Sequence, residues 1–409
     1  MIASSTAPGF LVSEGSDSSP LSLYLHIPFC DWKCTYCDFN SYAGMDDLIP
    51  AFVTALAREI RLWGDVLGRR SVQTVFFGGG TPSLLSTPDL DTLMTAVRCS
   101  FALEEGAEVT LEGNPGTVDR GKLTGFRSCG INRVSFGVQS FDPLELKFLT
   151  RIHDADAARK AYTDARDAGF ENVNLDFIFG LPGQTEASWR RTLDEAIALQ
   201  PEHLSLYILT VEESTPLGQQ VAKGAVGEAN PDTVAALYEW TCERMGKGGY
   251  AQYEISNWSL DGRTCRHNLV YWENRDYLGV GPGAHSHLGA TRFAVIRSPR
   301  AYVRQMTADE AARVPFSIHD SVEHQDSAAE MTDSAWLGLR LNRGLDLAGF
   351  KVRFGESFDS AFPGVAARYE GQGLLERDGD RLRLTARGRL MSNEVFADLV
   401  AVSDAVQTA

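Results

Sequence analysis

Basic side chains are in short supply. The 409 residues hold 38 Lys and Arg against 54 Asp and Glu, a formal net charge of −16. So acidic a chain argues against the backbone of a nucleic acid as its main partner, because phosphate binding draws on clustered Lys and Arg. Long apolar runs are missing too. No stretch approaches the ~18 apolar residues that mark a membrane span. The first 32 residues contain no Lys or Arg, and the apolar trio Phe10, Leu11 and Val12 is far too short for a secretory core. These absences predict a cytoplasmic protein. Seven cysteines, an odd number, do not suit a disulfide framework in a chain of this size. What remains is ordinary: 44% hydrophobic and 22% charged residues, as in globular proteins, and a length that suits about two domains.

Residues 1–20 are rich in Ser, Gly, Ala and Pro and are expected to be disordered. From residue 21 a rhythm begins. Strand-like apolar runs at 23–27, 72–77, 109–111, 133–136, 173–179 and 204–209 alternate with amphipathic stretches. Ile49, Phe52, Val53, Leu56 and Ile60 follow helical spacing, as do Leu90, Leu93, Met94 and Val97. Pro88 and Asp89 suit the first turn of that second helix. Six strand–helix units argue for a parallel sheet with right-handed crossovers, either doubly wound or closed towards a barrel. Each strand runs into a polar or glycine-bearing segment. The first meets a cysteine run, the second Gly78-Gly79-Gly80-Thr81-Pro82, the third Glu112-Gly113-Asn114-Pro115. The fourth meets Gly137-Val138-Gln139-Ser140, the fifth carries Asp176 into Gly180-Leu181-Pro182-Gly183, and the sixth ends at Thr210. Barrel active sites lie at the C-terminal strand ends, so this recurrence favours the barrel. The expected architecture is α/β: a partial (β/α)6 TIM-like barrel over 21–215, an extension over 216–327, and a smaller C-terminal α+β domain over 328–409. The extension should hold a helix over 232–245 and an irregular aromatic segment over 253–286. In the last domain, 373–384 carries an Asp378-Gly379 turn signal and reads as a hairpin. Helix, hairpin and helix there resemble a winged-helix unit, for which the acidic balance favours packing over DNA binding.

Cys30, Cys34 and Cys37 stand in LHIPFCDWKCTYCDF, residues 25–39. Three thiolates on one short loop can hold three irons of a [4Fe–4S] cluster. Such clusters normally take four cysteines, so one iron would stay open to another ligand. The alternative is a zinc site, which usually pairs C-x2-C with a second Cys or His pair; none is nearby. The spacing resembles the radical S-adenosylmethionine (SAM) superfamily, in which the open iron is chelated by the amino and carboxylate groups of SAM. That resemblance implies that the three cysteines ligate iron, and that Gly79 and Gly80 let the backbone approach the methionyl group, no Cβ being in the way. As a phosphate loop, GGGTP lacks the Lys and does not fit G-x-G-x-x-G.

Over residues 21–290 the chain is more closely similar to the oxygen-independent coproporphyrinogen III oxidase group. The runs that carry this are YLHIPFC from Tyr24, FGGGTP from Phe77, EGNP from Glu112, SFGVQS from Ser135 and LDFIFGLPGQT from Leu175. The resemblance implies a SAM pocket lined by Tyr24, Tyr36, Glu112, Gln139, Arg151 and Asp176, with Thr81, Thr210 and His285 as further carry-overs. Glu112 and Asp176 could instead be strand-end carboxylates capping the next helix, and Arg151 a surface charge. No catalytic side chain is assigned. Two features choose within the group. The oxidases carry C-x3-C-x2-C-x-C, whereas Phe39 occupies the last position here. And HNLVYW, residues 267–272, matches the H-N-x-x-Y-W run of HemW-type haem chaperones, which resemble the oxidases but bind haem and hand it to haem-less acceptors such as respiratory cytochromes. His267 would then be an axial iron ligand, with Tyr271 and Trp272 stacking on the macrocycle. A buried, hydrogen-bonded core histidine is the alternative. His285, His287 and Cys265 are reserve ligands; Cys99, Cys129 and Cys242 read as structural.

The expected function is therefore a HemW-like haem chaperone that binds a cluster, SAM and haem. Its partners would be acceptor haemoproteins and an electron donor for the cluster, with no nucleic acid, and membrane contact only through an acceptor. The alternative is the oxidase, in which a radical from SAM takes hydrogen from a propionate and loss of CO2 leaves a vinyl group. A non-catalytic barrel scaffold is the third reading.

Overall fold

The computed structural model describes residues 20–308 and 318–407; the tail expected to be disordered lies, apart from Pro20, outside the described residues. Six strand–helix units follow in order. They are β1 (Leu21–Ile27), α1 (Ile49–Leu67), β2 (Ser71–Gly79), α2 (Thr87–Ser100), β3 (Ala102–Gly113), α3 (Arg120–Ser128), β4 (Arg133–Gln139), α4 (Ala155–Asp167), β5 (Val173–Phe179), α5 (Glu186–Ala198) and β6 (His203–Ile208), with α6 (Pro231–Lys247) beyond. Local chemistry sets the helix starts. Pro50 opens α1. Ser86 and Asp89 form a reciprocal capping box at α2, and Asp119, Asp154 and Thr185 accept backbone N–H groups at α3, α4 and α5.

β1 to β6 pair in sequence order, all parallel. Among the described residues the sheet does not stop there. β7 (Ala251–Glu254) and β8 (Asn257–Ser259) add antiparallel strands beyond β6. On the other edge β9 (Tyr277–Val280) lies parallel to β1, followed by antiparallel β10 (His285–Leu288), β11 (Thr291–Val295) and β12 (His319–His324). The order is β12-β11-β10-β9-β1-β2-β3-β4-β5-β6-β8-β7. The two edges do not pair, so the barrel is open, and the sheet is mixed and twice as wide as the six strands expected. The segment 253–286, expected to be irregular, supplies β8, β9 and the helix α7 (Arg266–Trp272).

Each barrel strand has two faces. Leu23, Leu25, Val75, Phe77, Leu111, Val134, Phe136, Leu175, Phe177 and Leu206 are buried against the helices in the main core. The alternate residues, on the opposite face, are mostly polar, with Phe76 an apolar exception. In register across the sheet stand Ser22, Thr74 and Glu108, then Thr110 beside Arg133, then Ser135, Asn174 and His203. A period of two thus divides an apolar shell from a hydrophilic interior.

A second hydrophobic cluster draws on residues between Ala335 and Leu399. α8 (Pro299–Thr307) still packs in the main core and leads through β12 to the elements that build the second cluster: α9 (Ser327–Arg340), β13 (Leu345–Asp346), α10 (Leu347–Phe354), α11 (Val365–Gly371), β14 (Leu375–Asp378), β15 (Arg381–Leu384) and α12 (Ser392–Gln407). The small sheet runs β13-β15-β14, the strand order of a winged-helix unit. His287 belongs to the seam between the two parts: its Nε2 is 2.8 Å from Glu330 Oε1, and Arg353 Nη2 donates to Glu330 Oε2 at 2.8 Å. Among the described residues no helix is long and apolar enough to cross a membrane.

Candidate functional site

The polar face of β1–β6 ends in a cavity of about 540 Å³ at the C-terminal strand ends. The cysteine loop covers it. That loop leaves β1 through a short strand, Phe29–Cys30, which pairs in parallel with Tyr42–Ala43 and closes the loop at its base. Lys33 Nζ donates to the carbonyls of Phe39 and Ser41 at 3.0 and 3.2 Å, and Thr35 N to Thr150 Oγ1 at 3.1 Å. All three sulfurs face the cavity. Thr81 Oγ1 donates to Cys30 Sγ at 3.4 Å, and Arg151 Nη1 to Cys34 Sγ at 3.4 Å. Arg151 is therefore no surface charge; its Nη2 also donates to Gly137 O at 2.7 Å, and its buried Nε has no partner. Among the described residues no three Cys, His, Asp or Glu side chains gather as a single metal ion requires. Zinc needs its ligands about 2.3 Å from one centre. A cubane spreads three thiolates over three irons, so three cysteines that line one cavity without converging on a point, two of their sulfurs reached by polar donors, suit a cluster better than an ion.

Two residues beside this loop hold left-handed backbone: Gln139 at φ 69° and Thr150 at φ 52°. Neither is glycine, so each costs about 1–3 kcal/mol. At Gln139 the strand register slips between Gly137 and Gln139, and this bulge turns the amide into the cavity. Tyr24, Tyr36, Gly79, Gly80, Thr81, Glu112, Gln139, Arg151, Asp176 and Thr210 all line this one space; His285 does not. Besides lining the cavity, the two glycines have a packing duty. A Cβ on Gly80 would sit 2.6 Å from Phe29 O and 2.9 Å from Ile27 O, and one on Gly79 would strike the His26 ring. They permit close packing of β2 against the root of the cysteine loop.

Deeper in, Glu112 Oε2 accepts from Gly79 N at 3.2 Å. Asp176 accepts from Ser135 Oγ at 3.0 Å and from Asn174 Nδ2 at 2.7 Å. Neither carboxylate caps the next helix. Arg133, 2% exposed, lies among them with its Nε unpartnered. Burial, and then the neighbouring Asp176 carboxylate, push Glu112 up to about 8, against the pull of Gly79 N–H and Arg133. Burial also raises Asp176. A carboxyl whose folded pKa is raised binds its proton more tightly folded than unfolded. Its contribution to stability is full below the unfolded value of about 4.3 and is lost as pH climbs through the folded value. Wild type should therefore lose stability between about pH 5 and pH 8, and Glu112→Gln should flatten that fall. Chemical denaturation of the metal-free protein at several pH values checks this; parallel slopes in the two proteins would refute it.

The H-N-x-x-Y-W residues divide. His267, 1% exposed, has Nδ1 2.7 Å from Thr74 Oγ1 and Nε2 2.9 Å from Tyr271 OH, and it stacks on Phe76 at 5.0 Å. Both ring nitrogens are occupied, and burial followed by the charge of Arg133 lowers its pKa to about 3. This is the hydrogen-bonded core histidine, not an open iron ligand. Tyr271 reaches the cavity, but Trp272 does not; its indole lies under Arg340, 4.5 Å from the guanidinium carbon. Cys265 is buried and its thiol donates to Glu108 at 3.5 Å, while burial pushes it up to about 12, a poor thiolate at neutral pH. His267→Ala removes two buried hydrogen bonds and leaves a void, so a loss of about 2–4 kcal/mol is expected. Urea denaturation measures it, and a loss under 1 kcal/mol would mean that the ring carries no structural weight.

Sequence reading passed over Arg133, Asn174 and His203. Their signal was available: polar residues at every second position of otherwise apolar strands.

The amino-terminal part matches the radical SAM superfamily over residues 24–196, and residues 326–391 match the HemN C-terminal domain. A Mycobacterium tuberculosis protein named heme chaperone HemW is 38% identical over 96% of this chain and 97% of its own. The Bacillus subtilis protein of that name is 35% identical over 92% and 98%, and the Escherichia coli one 39% over 73% and 81%. Among solved structures, coproporphyrinogen III oxidase (HemN) from Escherichia coli superposes with a TM-score of 0.81 at 24% identity, over 93% of this chain and 90% of that one; it shares the fold. The cysteine loop, the open barrel beneath it and full-length identity of this order place the chain in the HemW family of the radical SAM superfamily.

Proposed function

We propose that this protein is a cytoplasmic haem chaperone that holds a [4Fe–4S] cluster and SAM at the barrel mouth, binds haem, and passes it to acceptor haemoproteins such as respiratory cytochromes. The observation that carries the choice is Phe39. Where the oxidases have a further cysteine, this chain has an aromatic ring that is 63% exposed at the cavity mouth. A bare ring there is unsuited to redox chemistry and suited to a flat apolar cargo. The names of the full-length relatives support the same reading.

In this reading Cys30, Cys34 and Cys37 hold three irons, and Thr81 and Arg151 donate to two of the sulfurs. Tyr24, Gln139, Glu112 and Asp176 line the seat of SAM, and Thr210 and Tyr36 its edge. A cluster and SAM held by these residues would supply one-electron reductive chemistry, given an electron donor. The protein's own work is electrostatic. Arg133 faces the buried carboxylates, and Glu112, kept partly protonated, can donate as well as accept a hydrogen bond. The paired loop base and the apolar shell behind the strands hold these groups in place.

Anaerobic reconstitution followed by two parallel assays tests the proposal. Haem titration should give a stable complex that yields its haem to an apocytochrome, and coproporphyrinogen should not be converted. Conversion with consumption of SAM would establish the oxidase instead.

A further inference from the structure

A second chamber of about 630 Å³ opens beside the first, within the ~300–1,000 Å³ usual for cofactor sites. The two share Tyr24, Phe39, Gly79, Glu112 and Tyr271, so they adjoin across β1 and β2. The far wall of the second comes from β9 and the segments beyond it, with Tyr277, His285, Arg297 and Asp320.

Four histidines line the two chambers. His26 has Nδ1 3.1 Å from Tyr24 OH and Nε2 2.9 Å from Asn40 O. His203 has Nδ1 2.6 Å from Asn174 Oδ1 and Nε2 2.9 Å from Tyr253 OH. His267 is held at both nitrogens as described above. Only His285 has neither nitrogen hydrogen-bonded among the described residues, and it is exposed to the chamber and to solvent. Arg297, close enough to disfavour a charged imidazole, is also exposed and forms no ion pair among the described residues. A neutral imidazole with free nitrogens is the usual protein ligand of haem iron. A free guanidinium fits a carboxylate. Asp320 is the opposing charge on that wall, and it repels a propionate that the arginine attracts.

We propose that the second chamber, and not the H-N-x-x-Y-W segment, seats the haem, with His285 on the iron, Arg297 on a propionate and the exposed Phe39 ring against the macrocycle. This rests on the haem-chaperone reading and names its ligand site. The shared Tyr24 and Glu112 would then put the haem seat against the SAM seat, through a common wall.

The experiment titrates the full-length, anaerobically purified protein with haemin and follows the Soret band and the haem EPR spectrum. His285→Ala should weaken binding at least about tenfold and lose the imidazole-type spectrum, and added imidazole should restore it. Arg297→Ala should weaken binding by about tenfold without changing the spectrum, and haemin dimethyl ester should abolish that difference. His267→Gln, which can keep a hydrogen bond to Thr74 or Tyr271, should bind as wild type does. Unchanged binding and spectrum in His285→Ala overturn the assignment while leaving the chaperone reading in place. A wild-type protein that binds no haem overturns both.

Discussion

With Cys30, Cys34 and Cys37 all replaced by alanine, the protein should purify colourless, its iron and sulfide falling from about four each per chain to near zero. The fold should survive. The loop is held by the pairing of Phe29–Cys30 with Tyr42–Ala43, by Lys33 on two carbonyls and by Thr35 on Thr150. None of these contacts uses a thiol. Among the described residues Thr81 donates to Cys30 Sγ, Arg151 donates to Cys34 Sγ, and the Cys34 thiol lies 3.9 Å from Thr150 O; sulfur is a weak hydrogen-bonding partner, so losing these contacts costs little. Circular dichroism of the metal-free variant should therefore match that of metal-free wild type. A Cys265→Ala control should keep its full iron, because that thiol is committed to Glu108 in the cavity floor. A triple variant that stays brown would end the assignment.

The parallel core was legible because each of its strands carries apolar residues at alternate positions and runs into a polar, cysteine-bearing or glycine-bearing segment. β9 to β12 were not. They are four to six residues long, and β9 pairs with β1 across some 250 residues of chain, a contact with no local signature. β3 was read as three residues and has twelve, Ala102–Gly113. Its first half, with Glu104, Glu105 and Gly106, is poor strand material by composition, and pairing with β2 overrides that preference. The two-part organisation was readable from the hairpin at 373–384, whose strands pair as Leu375 with Leu384 and Asp378 with Arg381.

At the site, motif spacing located the residues but not their duties. Cys30, Cys34, Glu112 and Arg151 line one cavity because Glu112 stands at the end of β3, the cysteines lie on the loop after β1 and Arg151 on the segment after β4, and strand ends coincide in a parallel sheet. Whether a histidine is free cannot be read along the chain. His267 looked chemical because it sits beside two aromatics; its partners Thr74 and Tyr271 come from β2 and from one helical turn on, and only the first needs the fold. The resemblance carries His285 to the SAM pocket; it lines the second chamber instead, and among the described residues it is the one histidine of either chamber with both nitrogens open. Trp272 follows Tyr271 by one residue on a helix, so the two rings point about 100° apart, and only one of them can enter the cavity.

Gly80→Val should be the most damaging single change near the cluster, and the cause is backbone packing. Gly80 N donates to Ile27 O at 2.8 Å, and Thr81 N to Phe29 O at 2.7 Å. Those two bonds stitch the end of β2 to the residues just before Cys30. A valine Cβ would lie 2.6 Å from Phe29 O, 2.9 Å from Ile27 O and 3.0 Å from Pro28 C, all backbone atoms with no rotamer to yield. The strand end must move away, both bonds stretch, and Thr81 is carried off Cys30. Overpacking of this kind costs about 3 kcal/mol or more once lost hydrogen bonds are added. If Gly80 served only the methionyl group, as the resemblance implies, the variant would keep its cluster and lose only SAM, because no ligand is altered. The structure predicts a lower melting temperature and incomplete iron incorporation together, with Gly80→Ala showing the same pattern, since its Cβ occupies the same point. Iron analysis separates the two accounts. If Gly80→Val holds a full complement of iron and fails only to show a SAM-induced change in its cluster EPR spectrum, the glycine faces the ligand and the packing argument is wrong. If iron and stability fall together, the GGG run is there because the root of the cysteine loop leaves no space for a side chain.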